Sequence, residues 1–161
     1  MRIRIRYRKL GKVRFTSHRD IARCWERALR RGELPVASTE GFSPRPKVHF
    51  GLALSTGHES LGEYLDVDLL EPEGESVDLG ALPERLTPLL PPGVDVEAVA
   101  VIDRSETSLQ EAVTSCRWLI EVPGPSPEAL SAAVDTILSA SNAPTSLSES
   151  TSFFGQPRVS M

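Results

Sequence analysis

The sequence predicts an α+β fold, because two kinds of apolar periodicity alternate along the chain. Residues 2–8 (RIRIRYR) alternate strictly between arginine and an apolar residue, which is typical of a half-buried strand. Residues 17–31 carry apolar side chains at helical spacing. Over residues 1–104 the predicted order is strand, helix, strand, strand, helix, strand, and this order is typical of a ferredoxin-like βαββαβ unit.

The predicted helix begins after Ser17 and ends before Gly32. The Ser17 hydroxyl can accept a hydrogen bond from a free N–H of the first turn, and glycine favours a helix end. The predicted buried stripe consists of Ile21, Cys24, Trp25, Ala28 and Leu29. At about 100° per residue, a second set falls on roughly the opposite side: Arg19, Arg23, Arg27, Arg30 and Arg31. Such a face is either a solvated surface or a surface for an anion.

The remaining elements of the first unit follow from strand periodicity and from turn residues. They are strands at 47–54, 61–69 and 94–102 and a helix at 78–90. Pro83 and Pro88 weaken the predicted helix, because proline lacks the N–H of a helix interior. Residues 12–15 (KVRF) are expected to resume the alternation of the first strand.

After the first unit we expect a partial second ferredoxin-like unit over residues 105–140. It contains a predicted strand at 112–122 and a predicted helix at 127–140, which Ser126 caps. Residues 141–161 are rich in Ser and Thr, and we expect them to be a poorly ordered tail.

The net charge of −4 conceals a division between the two parts of the chain. Residues 1–50 hold 14 Lys and Arg against 4 Asp and Glu, whereas residues 51–161 hold 4 against 18. Such asymmetry is typical of a nucleic-acid-binding half, or of two halves that pair with each other in the fold.

The ferredoxin-like strand order itself offers partners for some of the arginines. In that order the third strand lies beside the first, so Asp66 and Asp68 are expected to face Arg4 and Arg6. Opposite charges placed in this way stabilise a sheet by a few tenths of a kcal/mol per pair. These arginines are therefore expected to be structural.

The loop GFSPRPK (residues 41–47) is the most unusual local sequence. Pro44 and Pro46 keep it stiff, so a ligand that it binds costs little conformational entropy. The guanidinium of Arg45 can hold a phosphate or carboxylate with two hydrogen bonds. The predicted anion-binding residues are Arg19, Arg23, Arg27, Arg30, Arg45, Lys47 and His49. The alternative is a rigid crossover whose prolines only fix its geometry.

Motifs of the familiar catalytic classes do not occur in the sequence. It has no Ser-His-Asp arrangement, Walker loop or GxGxxG, and its three histidines match no compact metal site. We therefore expect neither a metal nor a cofactor. Cys24 and Cys116 lack CxxC spacing and are expected to be reduced thiols of a cytoplasmic protein. The sequence contains no run of about 18 apolar residues, so we predict no membrane-spanning helix.

Four stretches together resemble a bacterial family: RFTSHRD, ERALRRGELPVA, GFSPRPKVHFGLALSTGHES and EYLDVDL. The chain is similar to the radical-SAM-associated family catalogued as domain of unknown function 2344. The resemblance implies an accessory domain whose partner is a B12-binding radical SAM protein, encoded beside it or fused to it. The chain lacks the CxxxCxxC that ligates the cluster of such enzymes, so it is not itself the radical enzyme.

Three hypotheses of function follow. The first is a non-catalytic module that binds an anionic macromolecule, with RNA as the leading candidate, and assists a radical SAM protein. The second is a metal-independent RNA-processing enzyme that uses His18 or His49. The third is a pure protein-interaction domain whose arginines meet an acidic partner.

Overall fold

The structure, a computed structural model, describes residues 1–140, 148–151 and 157–160. It divides the chain into two units, Met1–Ala112 and Val113–Met161. The strands are β1 (Arg2–Lys9), β2 (Val48–Phe50), β3 (Ser60–Asp68), β4 (Val94–Ile102), β5 (Leu119–Glu121), β6 (Ser148–Thr151) and β7 (Pro157–Ser160). The α-helices are α1 (His18–Arg31), α2 (Leu82–Leu86), α3 (Leu109–Ala112) and α4 (Pro127–Ser139). The described residues thus form a mixed α+β fold with a four-stranded antiparallel sheet and four α-helices.

The central strand of the first unit is β1, and its alternating sequence predicted that a strand forms here. It pairs antiparallel with β3 on one side and with β4 on the other, and β2 lies at the edge beside β3. Because side chains alternate across a strand, Ile3, Ile5 and Tyr7 share one face of the sheet and are at most 3% exposed. The arginines of β1 share the other face.

The helix α1 packs its apolar stripe on the inner face of this sheet. Its N-cap is Ser17, whose hydroxyl accepts a hydrogen bond from the Asp20 N–H at 3.2 Å, and it ends at Gly32, as expected. The Trp25 ring meets the Tyr7 ring edge to face at 5.0 Å between centroids. The buried members of the stripe are Ile21, Trp25, Ala28 and Leu29, whereas Cys24 is only partly buried.

Two elements near the start of the sheet differ from the prediction. Residues 12–15 do not continue the strand, because Gly11–Phe15 forms a 3₁₀ turn that begins at a glycine with φ +73°. Only Val13 of this turn is buried. The second strand is Val48–Phe50 alone, since only these three residues pair with β3.

The predicted helix over residues 78–90 is also shorter in the structure. Its α-helical part is α2, where Pro83 sits in the first turn and needs no N–H donor. Pro88 lies in a 3₁₀ turn, Thr87–Leu89, because the ring of proline is incompatible with a continuing α-helix. By contrast, the predicted strand at 94–102 coincides with β4.

The second unit contains a three-stranded antiparallel sheet in the order β5-β7-β6. The helix α4 begins after Ser126, whose hydroxyl accepts from the Ala129 N–H, as predicted. In the same unit, β5 is shorter than the predicted strand at 112–122. Of the predicted poorly ordered tail, residues 141–161, the structure describes β6 and β7, and the other residues lie outside the described part of the chain. The predicted domain limits stay predictions.

Candidate anion-binding site

The first two arginines of β1 are held by carboxylates of β3. Arg2 Nε donates to Asp68 Oδ1 at 2.6 Å, and Arg4 Nε donates to Asp66 Oδ1 at 2.8 Å. Each pair has a second hydrogen bond from Nη2, at 3.2 and 3.0 Å respectively, so both are bidentate. The prediction that an aspartate of the third strand faces Arg4 is confirmed.

The other two arginines of β1 pair with β4. Arg6 Nε lies 3.2 Å from Glu97 Oε2, and Arg8 Nε lies 2.9 Å from Asp95 Oδ2. The expectation that Arg6 faces an aspartate of the third strand was therefore wrong. Its Cα partner on β3 is Tyr64, which leaves a β4 carboxylate as its nearest acidic group.

These ion pairs predict a loss of stability in acid. The hydrogen bond from Arg2 holds the pKa of Asp68 below its usual range, against the opposing effect of burial. A carboxyl with a lowered folded pKa stabilises the fold above its unfolded pKa of about 3.9, and this stability is lost as pH falls through the folded pKa. We expect the thermal midpoint to fall below about pH 4.

The variant Asp68→Asn tests this prediction against a matched control. It is expected to be less stable than the parent at neutral pH and to lose less stability between about pH 5 and pH 2. The control is Glu40→Gln, which removes an exposed carboxylate that has no ion pair among the described residues. Thermal melts across this pH range give the comparison. An unchanged acid dependence in Asp68→Asn contradicts the assignment.

The arginines of α1 are in a different electrostatic situation. Arg23 Nη1 lies 3.5 Å from Asp20 Oδ1, but both side chains are more than half exposed, and such pairs contribute little. The remaining four have no ion-pair partner within the described residues: Arg19, Arg27, Arg30 and Arg31. The outer face of α1 therefore carries uncompensated positive charge.

The C-terminal half of α1 borders a groove of about 370 Å³. Residues from α1 form its polar lining: Cys24, Arg27, Arg30 and Arg31. The opposite lining is the segment 88–91, with the sequence Pro-Leu-Leu-Pro. No acidic residue lines the groove among the residues that the structure describes. A cationic wall thus faces an apolar wall.

The loop at 41–47 is closed at its base by backbone hydrogen bonds. The Thr39 N–H donates to the Arg45 carbonyl at 2.8 Å, and the Arg45 N–H donates to the Thr39 hydroxyl at 3.0 Å. One step further out, the Lys47 N–H donates to the Ala37 carbonyl at 2.7 Å. At its tip Phe42 is fully exposed, and Arg45 is exposed without an ion pair in the described part of the chain.

The structure does not place all seven predicted site residues on one face. His49 Nε2 lies 3.7 Å from Asp68 Oδ2, on the sheet face that carries the β1 arginines. Lys47 has the same strand phase as His49 and belongs to that face. The helix α1 covers the opposite face. The groove brings Arg27 and Arg30 together, whereas Lys47 and His49 belong to the charged ladder of the sheet.

The two histidines of the enzyme hypothesis are also separated by the sheet. His18 is the first residue of α1, and its ring packs edge to face on Phe50 at 5.2 Å between centroids. Phe50 packs against the core on the sheet face that α1 covers, while His49 lies on the opposite face, which carries the arginines of β1. The geometry offers no shared active site for the pair.

Sequence reasoning missed a group of ionisable side chains at one end of the inner face, of which Lys9 and Tyr7 are buried and Glu63 is half-buried. Lys9 is 3% exposed, and its Nζ donates to the Thr16 carbonyl at 3.1 Å. Burial lowers the pKa of Lys9 and raises the pKa values of Glu63 and Tyr7. The attraction between Lys9 and Glu63 partly offsets both effects of burial. Strand periodicity could have predicted this group, because Lys9 and Tyr7 continue the inward-facing positions of β1 and Glu63 continues those of β3.

Comparison with known proteins places the chain in a family. A family model described as "uncharacterized protein conserved in bacteria" (domain of unknown function 2344) matches residues 2–152. The chain belongs to this family. The match of the family model extends past the first unit into the second, and its description names no activity and no partner. No curated protein matches the chain.

Two further structural observations bear on the class of protein. Within residues 1–140, 148–151 and 157–160, no cluster of three or more His, Cys, Asp or Glu side chains is arranged to hold a metal ion. In the same residues, no helix has both the length and the apolar character needed to cross a membrane.

Proposed function

We propose that this chain is a binding module for an anionic macromolecule, RNA, and that the exposed arginines of α1 make the main contacts. The observation that supports it is a contrast between two sets of arginines. Each arginine of β1 has a carboxylate within 3.2 Å. On α1 only Arg23 has one within the described residues, and that pair is exposed.

Some of the arginine spacings on α1 are unfavourable when no ligand is bound. Three pairs of its arginines are four residues apart, and like charges at that spacing destabilise a helix by about 0.2–0.5 kcal/mol per pair. From Arg19 to Arg31 the row is about 18 Å long at the rise of an α-helix. A row of this length can contact several phosphates, which favours a polymer over a small anion.

We further propose that the first unit is a ferredoxin-like βαββαβ unit. The strand order β2-β3-β1-β4, with every neighbouring pair antiparallel, supports this assignment. In such a unit the helices cover one face of the sheet, so an RNA site on α1 would lie on the helical layer. The carboxylate-paired arginines would then stabilise the opposite face.

We also propose that the module serves a separately encoded radical SAM protein. The support is the sequence resemblance, together with the membership of the chain in its family. Co-expression followed by size-exclusion chromatography is expected to show the two proteins eluting together. Separate elution at micromolar concentration contradicts a stable complex.

Salt dependence tests the RNA proposal directly. Binding of a fluorescein-labelled single-stranded RNA, followed by anisotropy, is expected to weaken steeply between about 50 and 200 mM salt, because phosphate contacts release counterions. The variant Arg45→Ala is expected to reduce the slope of log K against log salt by about 0.7, because each phosphate contact to a single strand contributes about that much. Salt-independent binding, or no binding, contradicts the proposal.

Two further measurements separate the alternatives. Polyglutamate that competes as well as unlabelled RNA favours the protein-interaction domain, because a carboxylate polymer then satisfies the same arginines. Cleavage of the labelled RNA on a denaturing gel, lost in His18→Ala or His49→Ala, favours the enzyme. Intact RNA and weak competition by polyglutamate are the results expected here.

A further inference from the structure

We infer that the groove between α1 and the segment 88–91 is a binding site for a nucleoside phosphate, either free or as one unit of a strand. The phosphate would lie on the arginine wall and the nucleoside on the apolar wall. The inference rests on the proposed function and names the part of the ligand that enters this groove.

The arginine wall has the properties of a phosphate site. Arg27 is held in place, since its Nε donates to the Arg23 carbonyl at 3.2 Å and its Nη2 donates to Cys24 Sγ at 3.4 Å. A guanidinium that is already oriented loses less entropy when it binds an anion. Arg30 and Arg31 line the same groove, and no carboxylate competes there among the described residues. Three arginines therefore line the groove, and a guanidinium group can donate two hydrogen bonds to a phosphate.

A structural role explains only part of this wall. Arg30 and Arg31 lie in the last turn of α1, where positive charge favours the helix dipole. That role needs no groove and does not account for Arg27, which lies a turn earlier. In the apolar segment, Leu90 belongs to the core and Leu89 packs against it, whereas Pro88 is exposed and Pro91 partly exposed.

The apolar wall is fixed by hydrogen bonds rather than being a loose chain. The Leu90 N–H donates to the Thr87 carbonyl at 3.1 Å, and the Val94 N–H donates to the Pro91 carbonyl at 3.0 Å. The Thr87 hydroxyl accepts from the Val96 N–H at 3.1 Å, which ties the segment to β4. These hydrogen bonds fix the backbone that carries Pro88 and Pro91, two residues that line the groove.

The lining of the groove favours a ligand with both a charged and an apolar part. Its volume of about 370 Å³ lies at the lower end of the range for small-molecule sites, about 300–1,000 Å³. Inorganic phosphate would use the arginine wall and leave the apolar wall in water. A nucleoside phosphate removes that apolar surface from water while its charge meets the arginines.

Cys24 provides a reporter inside the groove. It is one of the lining residues and is partly exposed, whereas the other cysteine, Cys116, is exposed in the second unit. In the full chain with Cys116→Ser, the rate of iodoacetamide alkylation measures access to Cys24 alone. Peptide mapping of the parent chain, which follows each cysteine separately, repeats the measurement without a substitution.

Uridine monophosphate is expected to slow alkylation of Cys24 about tenfold when its concentration is about ten times its Kd, by mass action. Uridine without phosphate and inorganic phosphate are expected to protect far less at the same concentration. In Arg30→Ala the protection is expected to be lost while alkylation without ligand continues. Because the parent chain alone decides the outcome, a poorly folded Arg30→Ala does not affect the test.

The remaining outcomes overturn the inference in distinct ways. Equal protection by inorganic phosphate shows an anion site without a nucleoside wall. No protection by uridine monophosphate, even if RNA protects, shows that a strand only covers the groove from outside. RNA binding in the anisotropy assay without protection of Cys24 is consistent with the proposed function but contradicts the inference that the groove is the site. Protection by uridine monophosphate without RNA binding supports the nucleotide site in the groove and contradicts the proposal that the chain binds RNA.

Discussion

Replacing Trp25 with Ala is expected to lower the free energy of unfolding by about 3–5 kcal/mol, because it empties the centre of the core. Trp25 is fully buried and contacts Tyr7 edge to face at 5.0 Å. A domain of this kind has a total stability of about 5–15 kcal/mol, so the loss is a large fraction of it. Urea unfolding followed by circular dichroism gives the value without relying on tryptophan fluorescence.

The matched control is Trp25→Phe, which keeps an aromatic ring and removes the indole N–H. That N–H is buried without a hydrogen-bond partner within the described residues. It approaches the Tyr7 side chain and acts to lower the pKa of Tyr7, but it does not reach hydrogen-bond geometry. Trp25→Phe is therefore expected to cost clearly less than Trp25→Ala. Equal losses would mean that the side chain's volume is not what the core requires.

The elements whose periodicity is strict could be predicted from the sequence. The alternation of β1 gave the two faces of that strand, and the bounds of β4 coincide with those predicted. For α1, Ser17 and Gly32 are local signals for a start and an end, so no knowledge of the rest of the fold was needed.

The elements that depend on a distant partner could not be predicted in the same way. The alternation from 47 to 54 is uniform, but only Val48–Phe50 finds a partner on β3, and a strand needs a partner to form. Residues 12–15 also alternate, yet the chain turns at Gly11. Apolar periodicity predicts which side chains of a strand can be buried, but it does not predict which other strand pairs with it.

The same limit explains what was missed at the candidate site. The register of β1 against β4 shifts between Arg6 and Tyr7, and the prediction of a regular strand did not include this irregularity. The pairing of Arg6 with Glu97 depends on that register. The groove at Arg27 depends on where the segment 88–91 packs, which the sequence of α1 does not contain.

The largest functional effect is expected from removing three arginines of α1 together. The triple variant Arg19→Ala, Arg27→Ala, Arg31→Ala is expected to bind single-stranded RNA about 100-fold more weakly, at about 1 kcal/mol for each phosphate contact. Its salt slope is expected to be shallower by about 2, since each contact to a single strand contributes about 0.7. Its stability is expected to be unaffected or slightly higher, because like charges four residues apart are removed.

The control variant removes the same net charge from arginines that are comparably exposed but paired. It is Arg6→Ala, Arg8→Ala, Arg14→Ala, whose partners are Glu97, Asp95 and Glu59. Because these guanidinium groups are already neutralised by carboxylates, their loss is expected to change RNA affinity only slightly. Equal weakening in the two variants would show that net charge alone attracts the RNA. The uncompensated charge on α1 would then have no special part in binding.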